Sequence, residues 1–209
     1  MIRIEIEPIQ TIEDETQFAS LYEGLSDERK KAVDQYKKWN DRRRSLLAGV
    51  MLEKSVKEIL SASFPRIAYK ENGKPYFPDY AIGFNLSHSG DYVMCAIADE
   101  EIGCDIQALR PLRVDFVKKY YTDSEKEYLQ RKQAGGQYPT TADYEKDVLR
   151  IFSAKESYMK YTGLGFRLDF RDIEVDLEQG VIRSLGKCAK LIEISIVPDG
   201  YVGMCCVRV

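Results

Sequence analysis

The sequence predicts an α+β fold, because two long helical segments stand among several short strand-like segments. Apolar residues recur at helical spacing in residues 41–60, and a second long helix is expected over residues 143–161. Short alternating or continuous apolar runs, which are typical of strands, precede, separate and follow these segments. A chain of 209 residues with this organisation suits one large domain or two small ones.

The first half of the chain is expected to begin with a strand and to continue with helices. Ile2, Ile4 and Ile6 alternate with charged residues, which is typical of a half-buried strand. A break near Gly24 divides the helical stretch before the long helix. Asn72 followed by Gly73 is a hairpin signal. The predicted elements are a strand from residue 2, one or two helices in 13–39, the long helix at 41–60, a turn-rich stretch at 66–78, and strands at 91–98 and 102–107.

The second half repeats the order of strands and one long helix, without visible sequence identity to the first half. Thr122 and Glu125 have the spacing of a capping box, which predicts the start of a helix. The second long helix is expected to stop at Gly163. Strands are predicted near residues 172–177, 181–184, 190–197 and 201–208.

Composition excludes several classes of function. Lys and Arg number 31 against 34 Asp and Glu, and a net charge of -3 argues against a general nucleic-acid binder, whose footprint is basic. No run of about 18 apolar residues occurs, so no membrane span is expected. The alternating, acidic start of the chain predicts a strand and not a signal peptide.

Cysteine usage favours a reducing compartment. The five cysteines include no C-x-x-C pair, and all lie in apolar strand-like runs. Buried, reduced thiols in a cytoplasmic protein are therefore expected. The residues concerned are Cys95, Cys104, Cys188, Cys205 and Cys206.

Two segments about 50 residues apart carry the residues most suited to chemistry. In the strand-like IGCDIQ, Asp105 and Gln107 share a face with a glycine that permits close approach. In the helix-like FSAKESYMK, Glu156 and Lys160 share a face, with Lys155 beside them. One acid from each segment, together with two lysines, can hold a magnesium ion and a phosphate chain.

These segments resemble the signature of the Sfp-type 4'-phosphopantetheinyl transferases, which is G-[IV]-D followed by [FW]-[SC]-x-K-E-[SA]-x-x-K. Residues 103–105 match the first motif, with Cys104 as a mild departure, and residues 152–160 match the second. Three further motifs occur in the family's order: the start of its first long helix at 44–48, its G-K-P at 73–75 and its N-[IL]-S-H-[ST] at 85–89. The resemblance extends in register from about residue 40 to about residue 165.

The resemblance implies an enzyme, a holo-[acyl-carrier-protein] synthase. It would transfer the 4'-phosphopantetheine arm of coenzyme A to a serine of an apo acyl or peptidyl carrier protein, with magnesium and release of 3',5'-ADP. It further implies two similar α/β lobes related by a pseudo-twofold axis, each with a small antiparallel sheet packed on a long helix. The expected lobes are residues 1–101, on the nucleotide side of coenzyme A, and residues 102–209, with the metal and the catalytic acids. A cytoplasmic monomer that serves fatty acid or secondary metabolite biosynthesis is expected.

By the same resemblance, Asp105 and Glu156 match the family's metal-binding acids. Gln107 is the third expected ligand, at a position where many members have glutamate. Its amide oxygen can coordinate but carries no charge, so a higher magnesium requirement is expected. The expected catalytic residues are Glu156, Lys160 and Asp105, and Glu156 is also a candidate base for the serine hydroxyl.

The residues expected to contact coenzyme A come from both halves of the chain. His88, the single histidine, matches the residue that meets the 3'-phosphate, and small hydroxyl-bearing neighbours suit an anion pocket. Alternatively, His88 is a structural residue and Arg44 belongs to a basic helix start. The full expected set is Arg44, Lys74, Ser87, His88, Lys155 and Lys160.

Two features of the sequence each allow two interpretations. Glu125 matches an acid near the family's reaction, but its local role as a capping residue explains it equally well. A basic stretch after Asp105 fits either a carrier-docking helix or a simple amphipathic surface helix. Its basic residues are Arg110, Arg113, Lys118 and Lys119, and its apolar residues are Leu112, Val114, Phe116 and Val117.

Two other functions are weighed against the transferase. A different phosphoryl or nucleotidyl transferase is disfavoured, because the chain has neither a Walker A loop nor a kinase glycine-rich loop. A catalytically inactive homologue that only binds carrier proteins is disfavoured by the presence of Asp105, Glu156 and both lysines.

Overall fold

Each half of the chain builds a main antiparallel sheet and one long helix, and the first half also contains a two-stranded sheet. The structure, a computed structural model, describes residues 1–113 and 115–209 apart from the Phe166 side chain. It divides into two compact units, Met1–Glu100 and Glu101–Val209. Both units combine helices with antiparallel strands, which confirms the predicted α+β class.

The first unit contains a sheet of three strands. Its elements are β1 (Ile2–Pro8), α1 (Glu15–Glu23), α2 (Asp27–Asp34), α3 (Trp39–Leu60), β2 (Ala68–Tyr69), β3 (Pro75–Tyr76), β4 (Gly83–Ser89) and β5 (Tyr92–Ala98), with a short 3-10 helix at Ile9–Thr11. The strand order is β1-β5-β4, with both pairs antiparallel. The buried face of α3 forms the core with this sheet through residues such as Leu52, Val56 and Val93.

The second unit contains a sheet of five strands. Its elements are β6 (Ile102–Ala108), α4 (Phe116–Tyr120), α5 (Asp123–Ala134), α6 (Thr141–Thr162), β7 (Ile173–Asp176), β8 (Val181–Ser184), β9 (Lys187–Glu193) and β10 (Tyr201–Val207), with 3-10 helices at Gly165–Arg167 and Phe170–Asp172. The strand order is β6-β10-β9-β8-β7, and every pair is antiparallel.

The contact between β6 and α6 is unusually close at Gly103. A Cβ atom at this position would lie 2.1 Å from the carbonyl oxygen of Ser157 and 2.3 Å from the amide nitrogen of Tyr161. Only glycine permits this approach. Since side chains alternate along a strand, the face of β6 that carries Gly103 also turns Asp105 and Gln107 toward α6.

The helix signals in the sequence are confirmed. Thr122 and Glu125 form the predicted capping box at the start of α5. A second box, Thr140 with Asp143, caps α6, which ends at Gly163 in the left-handed conformation with φ 72°. The two long helices, α3 and α6, begin at Trp39 and Thr141, two residues earlier than the predicted bounds of 41–60 and 143–161.

Some elements differ from the prediction. Strand β4 was not expected, because Asn85, Ser87 and His88 interrupt its apolar residues. Four cysteines are buried as predicted, whereas Cys188 is exposed because it lies on the outward face of β9. In the part of the chain that the structure describes, no helix combines the length and apolarity needed to cross a membrane.

Candidate functional site

A cluster of four polar side chains lies where β6 meets α6. The Lys160 Nζ is 2.7 Å from Asp105 Oδ1. The Gln107 amide nitrogen donates to Asp105 Oδ2 at 2.9 Å and to Glu156 Oε2 at 3.3 Å. We call these residues, Asp105, Gln107, Glu156 and Lys160, the acid cluster. The structure thus brings together four residues that the sequence predicted from segments about 50 positions apart.

Local backbone geometry accounts for the cluster. Asp105 and Gln107 are two residues apart on a strand, so both face α6. Glu156 and Lys160 are four apart on α6, so both face β6. The Ser153 hydroxyl, one helical turn earlier, donates to the Asp105 carbonyl at 3.1 Å and fixes the strand against the helix.

The cluster concentrates negative charge in a partly desolvated place. Asp105 is 1% exposed. Burial, followed by the charge of Asp105, raises the pKa of Glu156 to about 7. Burial opposes the charge on Lys160, but the attraction of Asp105 and Glu156 outweighs it, so the pKa of Lys160 is raised. Two neighbouring carboxylates with one lysine favour an additional cation.

The donor set has two carboxylates and one amide. Among the described residues, no group of three His, Cys, Asp or Glu side chains is placed to hold a metal. The third donor here is an amide, because Gln107 occupies the place of a third acid. Oxygen ligands from Asp105, Glu156 and Gln107 nonetheless suit magnesium, which binds through few carboxylates and keeps several waters.

Lys155 does not join the acid cluster. Its ammonium lies in the interior of the unit, 2.7 Å from Glu125 Oε2, and both side chains are 0% exposed. It also donates to the Tyr120 carbonyl at 3.0 Å and the Phe170 carbonyl at 2.8 Å. The sequence predicted Lys155 beside Glu156 at the phosphates, but adjacent helical residues point about 100° apart. The Lys155 ammonium directs its N–H donors to Glu125, Tyr120 and Phe170 inside the unit. The predicted contact between Lys155 and coenzyme A stays a prediction.

Glu125 is the partner of Lys155 and also a capping residue. Its Oε2 accepts from the Thr122 amide at 2.9 Å, and its Oε1 accepts from the Val175 amide at 2.9 Å. Burial raises the pKa of Glu125 and lowers the pKa of Lys155, while their mutual attraction opposes both changes. The capping role is therefore confirmed, and it is combined with a buried ion pair.

Glu156 lines a cavity of about 700 Å³, which we call the Glu156 cavity. Its walls are aromatic: the Phe152 and Phe170 rings stack with centroids 5.1 Å apart, and Tyr120 meets Phe170 at 5.1 Å. The lining residues are Lys118, Lys119, Tyr120, Phe152, Glu156, Leu168, Asp169, Phe170 and Arg171. Sequence reasoning missed these walls: Phe152 stands in a motif, but no signal marked Tyr120 or Phe170.

The basic stretch after Asp105 lies on the surface of the second unit. Arg110, Arg113, Lys118 and Lys119 are exposed. Three of its apolar residues are partly buried against the core of the unit: Leu112, Phe116 and Val117. The fourth, Val114, lies outside the described residues. The exposed part of this stretch is consequently cationic.

In the first unit, Arg44 fastens α3 to the turn between β4 and β5. Its Nε and Nη2 donate to the Gly90 carbonyl at 2.9 and 2.6 Å, and its Nη1 lies 2.6 Å from Asp41 Oδ1. His88, near the end of β4, is exposed. The structure therefore places Arg44 next to the turn that follows His88.

The remaining predicted residues of this unit are buried. Ser87 on β4 is 5% exposed, and Lys74 beside the β2–β3 turn is 6% exposed. The Lys74 amide donates to Asn72 Oδ1 at 3.1 Å within this hairpin. Lys74 is therefore buried, whereas a residue that binds a ligand at an open surface would be exposed.

Models of known protein families match both units. Residues 101–201 match the family model described as "4'-phosphopantetheinyl transferase superfamily". Residues 13–100 match the one described as "4'-phosphopantetheinyl transferase, N-terminal". These matches together extend over most of both units.

Individual relatives agree with the family models. The chain is 30% identical over 158 residues to 4'-phosphopantetheinyl transferase Sfp of Bacillus subtilis strain 168, covering 74% of this chain and 67% of the relative. It is 29% identical over 164 residues to 4'-phosphopantetheinyl transferase gsp of Aneurinibacillus migulanus, covering 78% and 66%. A segment of 49 residues is 53% identical to 4'-phosphopantetheinyl transferase AcpT of Escherichia coli K12, covering 22% and 25%. The chain spans about two thirds of the length of the first two relatives.

The chain belongs to the 4'-phosphopantetheinyl transferase family, which is a family of transferase enzymes. The resemblance inferred from the sequence motifs is thereby confirmed.

Proposed function

We propose that this protein transfers the 4'-phosphopantetheine arm of coenzyme A to a serine of an apo acyl or peptidyl carrier protein and releases 3',5'-ADP. The observation that carries the proposal is the acid cluster, in which Asp105 on β6 and Glu156 on α6 share the Gln107 amide. Its position beside the Glu156 cavity leaves room for a substrate at the acids.

The acid cluster is proposed to hold magnesium through Asp105, Glu156 and the Gln107 amide oxygen. The Gln107 amide nitrogen now donates to both carboxylates, and rotation of the amide by half a turn exchanges nitrogen for oxygen. A bound ion would supply neutralisation of the pyrophosphate charge. The donor set therefore fits a hard divalent cation, with one negative charge fewer than a set of three acids.

The protein's own residues would carry the remaining steps. Glu156 lines the cavity and is proposed as the base that accepts the serine proton. Lys160, held 2.7 Å from Asp105, presents a positive charge at the same place. Positive charge at this point stabilises the phosphoryl oxygens as the serine attacks.

The nucleotide end of coenzyme A is proposed to meet Arg44, Lys74, Ser87 and His88. Arg44 and the exposed His88 are close to the same β4–β5 turn, which supports a joint phosphate site in the first unit. Residues 1–101 would then form the nucleotide lobe and residues 102–209 the metal lobe, related by a pseudo-twofold axis. The presence of one long helix and one main antiparallel sheet in each unit supports this relation.

An acidic carrier protein is the proposed partner. With a net charge of -3 for the chain, attraction must be local. The exposed side chains of Arg110, Arg113, Lys118 and Lys119 provide such a local positive surface beside the Glu156 cavity. We further propose that the protein is a cytoplasmic monomer in fatty acid or secondary metabolite biosynthesis.

Mass spectrometry of apo carrier protein tests the proposed function. Incubation with coenzyme A and magnesium should add the mass of phosphopantetheine to the carrier, and removal of magnesium by a chelator should abolish the addition. Acyl, polyketide and nonribosomal-peptide carriers should be compared side by side. If none of the carriers is modified while a known transferase is active in parallel, the proposal is contradicted.

A further inference from the structure

The Lys155–Glu125 pair is the most deeply enclosed ion pair described in the second unit. Both side chains are 0% exposed, and Lys155 Nζ lies 2.7 Å from Glu125 Oε2. Removing two charges from water is costly, so such a pair contributes little net stability. Breaking it by removal of one partner is damaging, because the other charge is left buried.

This pair joins several segments at one point. Lys155 in α6 donates to the carbonyl of Tyr120, the last residue of α4, and to that of Phe170, which begins a 3-10 helix. Glu125 accepts the amide of Thr122 at the start of α5 and the amide of Val175 in β7. One buried pair thus joins five segments: α4, α5, α6, β7 and the 3-10 helix at Phe170–Asp172.

Two of these segments are walls of the Glu156 cavity. Tyr120 and Phe170, whose carbonyls accept from Lys155, both line it. Their rings meet at 5.1 Å, and Phe170 stacks on Phe152, which lies one helical turn before Glu156. The ammonium of Lys155 therefore lies directly behind the aromatic wall, and its neighbour in sequence, Glu156, lines the cavity in front.

We propose that Lys155 and Glu125 are positioning residues: together they fix the aromatic walls beside Glu156 and so set the approach of the carrier serine, and neither touches a substrate. This inference rests on the proposed function. The competing role, in which Lys155 turns outward to a phosphate, would leave the buried Glu125 carboxylate without its cation and would remove the Lys155 hydrogen bonds to the Tyr120 and Phe170 carbonyls.

The variants Lys155→Met, Glu125→Gln and the double variant separate these roles. Lys155→Met keeps an unbranched side chain that is one atom shorter but leaves the Glu125 charge unpaired, and the double variant removes both charges. Lys132→Met is the matched control, because Lys132 pairs with Asp147 at 2.5 Å and joins the same two helices, α5 and α6. Neither Lys132 nor Asp147 is among the described residues that line the cavity.

The positioning role predicts a separation of kinetic constants. Lys155→Met should lower kcat by about tenfold or more while the apparent KM for coenzyme A changes less than about twofold. The double variant should recover part of kcat, since no unpaired charge remains. Lys132→Met should keep kcat within about twofold of the wild type.

A contrary kinetic pattern would overturn the inference. A rise of about tenfold in the apparent KM for coenzyme A, with no recovery in the double variant, would assign Lys155 to the phosphates instead. An equal loss of kcat in Lys132→Met would show that weakening any contact between α5 and α6 lowers kcat. That result would also overturn the specific role of Lys155 and Glu125.

Amide hydrogen exchange provides a readout that does not depend on the reaction. Lys155→Met should accelerate exchange at residues 116–120 and 168–175 in the whole chain, whereas Lys132→Met should not. Unchanged exchange at these residues would overturn the positioning role whatever the activity. Absence of transfer by the wild-type chain would overturn the proposed function independently of the exchange result.

Discussion

Two lysines of α6 meet carboxylates in very different surroundings. Lys160 lies at a partly open edge, with its side chain 31% exposed, and pairs with Asp105 in the acid cluster. Lys155, five residues earlier, is fully enclosed and pairs with Glu125. Two lysines of one motif therefore differ in role: Lys160 pairs with a carboxylate at an open edge of α6, and Lys155 joins segments in the interior.

The largest effect is expected from removing the carboxylate at the open edge. Asp105→Asn keeps the shape of the side chain but removes the charge that holds Lys160 and the proposed magnesium. Catalytic efficiency should fall by about 10²–10³-fold, the range seen when one group that stabilises charge in the transition state is lost.

Steady-state transfer to apo carrier protein measures the effect of Asp105→Asn. Asp123→Asn, at an exposed residue in the first turn of α5, is the control and should keep full activity. Nearly unchanged turnover in Asp105→Asn would remove the acid cluster from the reaction.

The two lysines should differ in their effect on stability. Lys155→Met leaves a fully buried carboxylate unpaired and should lower the free energy of unfolding by about 3–5 kcal/mol. Lys160→Met should cost no more than about 2 kcal/mol, because the Lys160 side chain is 31% exposed and Gln107 still donates to Asp105. Urea unfolding of both variants compares them directly. Equal losses would contradict the distinction between the two lysines.

His88→Ala should weaken coenzyme A binding more than turnover. Loss of one charge-assisted contact to a phosphate corresponds to about a tenfold rise in the apparent KM for coenzyme A. Initial rates at varied coenzyme A measure this change. An unchanged apparent affinity would leave His88 as a structural residue of β4.

Gln107→Glu should lower the magnesium concentration required for half-maximal activity by about threefold or more, because it adds a charged oxygen ligand. Magnesium titrations of the wild type and the variant measure the shift. Gln130→Glu adds the same charge on the exposed face of α5 and serves as the control. The same half-saturation in both proteins would show that residue 107 does not face the ion.

The smallest effect is expected at the basic surface. The double charge reversal Arg113→Glu with Lys118→Glu should raise the apparent KM for carrier protein by about threefold or more and leave that for coenzyme A unchanged. The effect should shrink at high salt, since exposed charges are screened. Lys190→Glu, on an exposed position of β9, is the control. An equal rise in both KM values would argue against a docking surface.

The sequence predicted the open edge well because that edge depends on local periodicity. Strand alternation put Asp105 and Gln107 on one face, and the helical repeat put Glu156 and Lys160 on another. Gly103 indicated a close approach, and the structure places Ser157 there. Each of these signals lies within one short segment of the chain.

The enclosed side was not predictable in the same way. The burial of Lys155 depends on the carbonyls of Tyr120 and Phe170, which come from segments 35 and 15 residues away. Nothing in the motif distinguishes a lysine with such partners from a solvated one. Likewise, β4 forms because β5 pairs with it through backbone hydrogen bonds, although its own polar residues interrupt the strand pattern.

Crystals grown with coenzyme A and manganese, as a stand-in for magnesium, offer the most direct measurement of the central claim. The account predicts an anomalous scattering peak within ligand distance of carboxylate oxygens of both Asp105 and Glu156, with the coenzyme A diphosphate bound to the same ion. A peak away from either carboxylate, or coenzyme A bound without contact to this cluster, would contradict it.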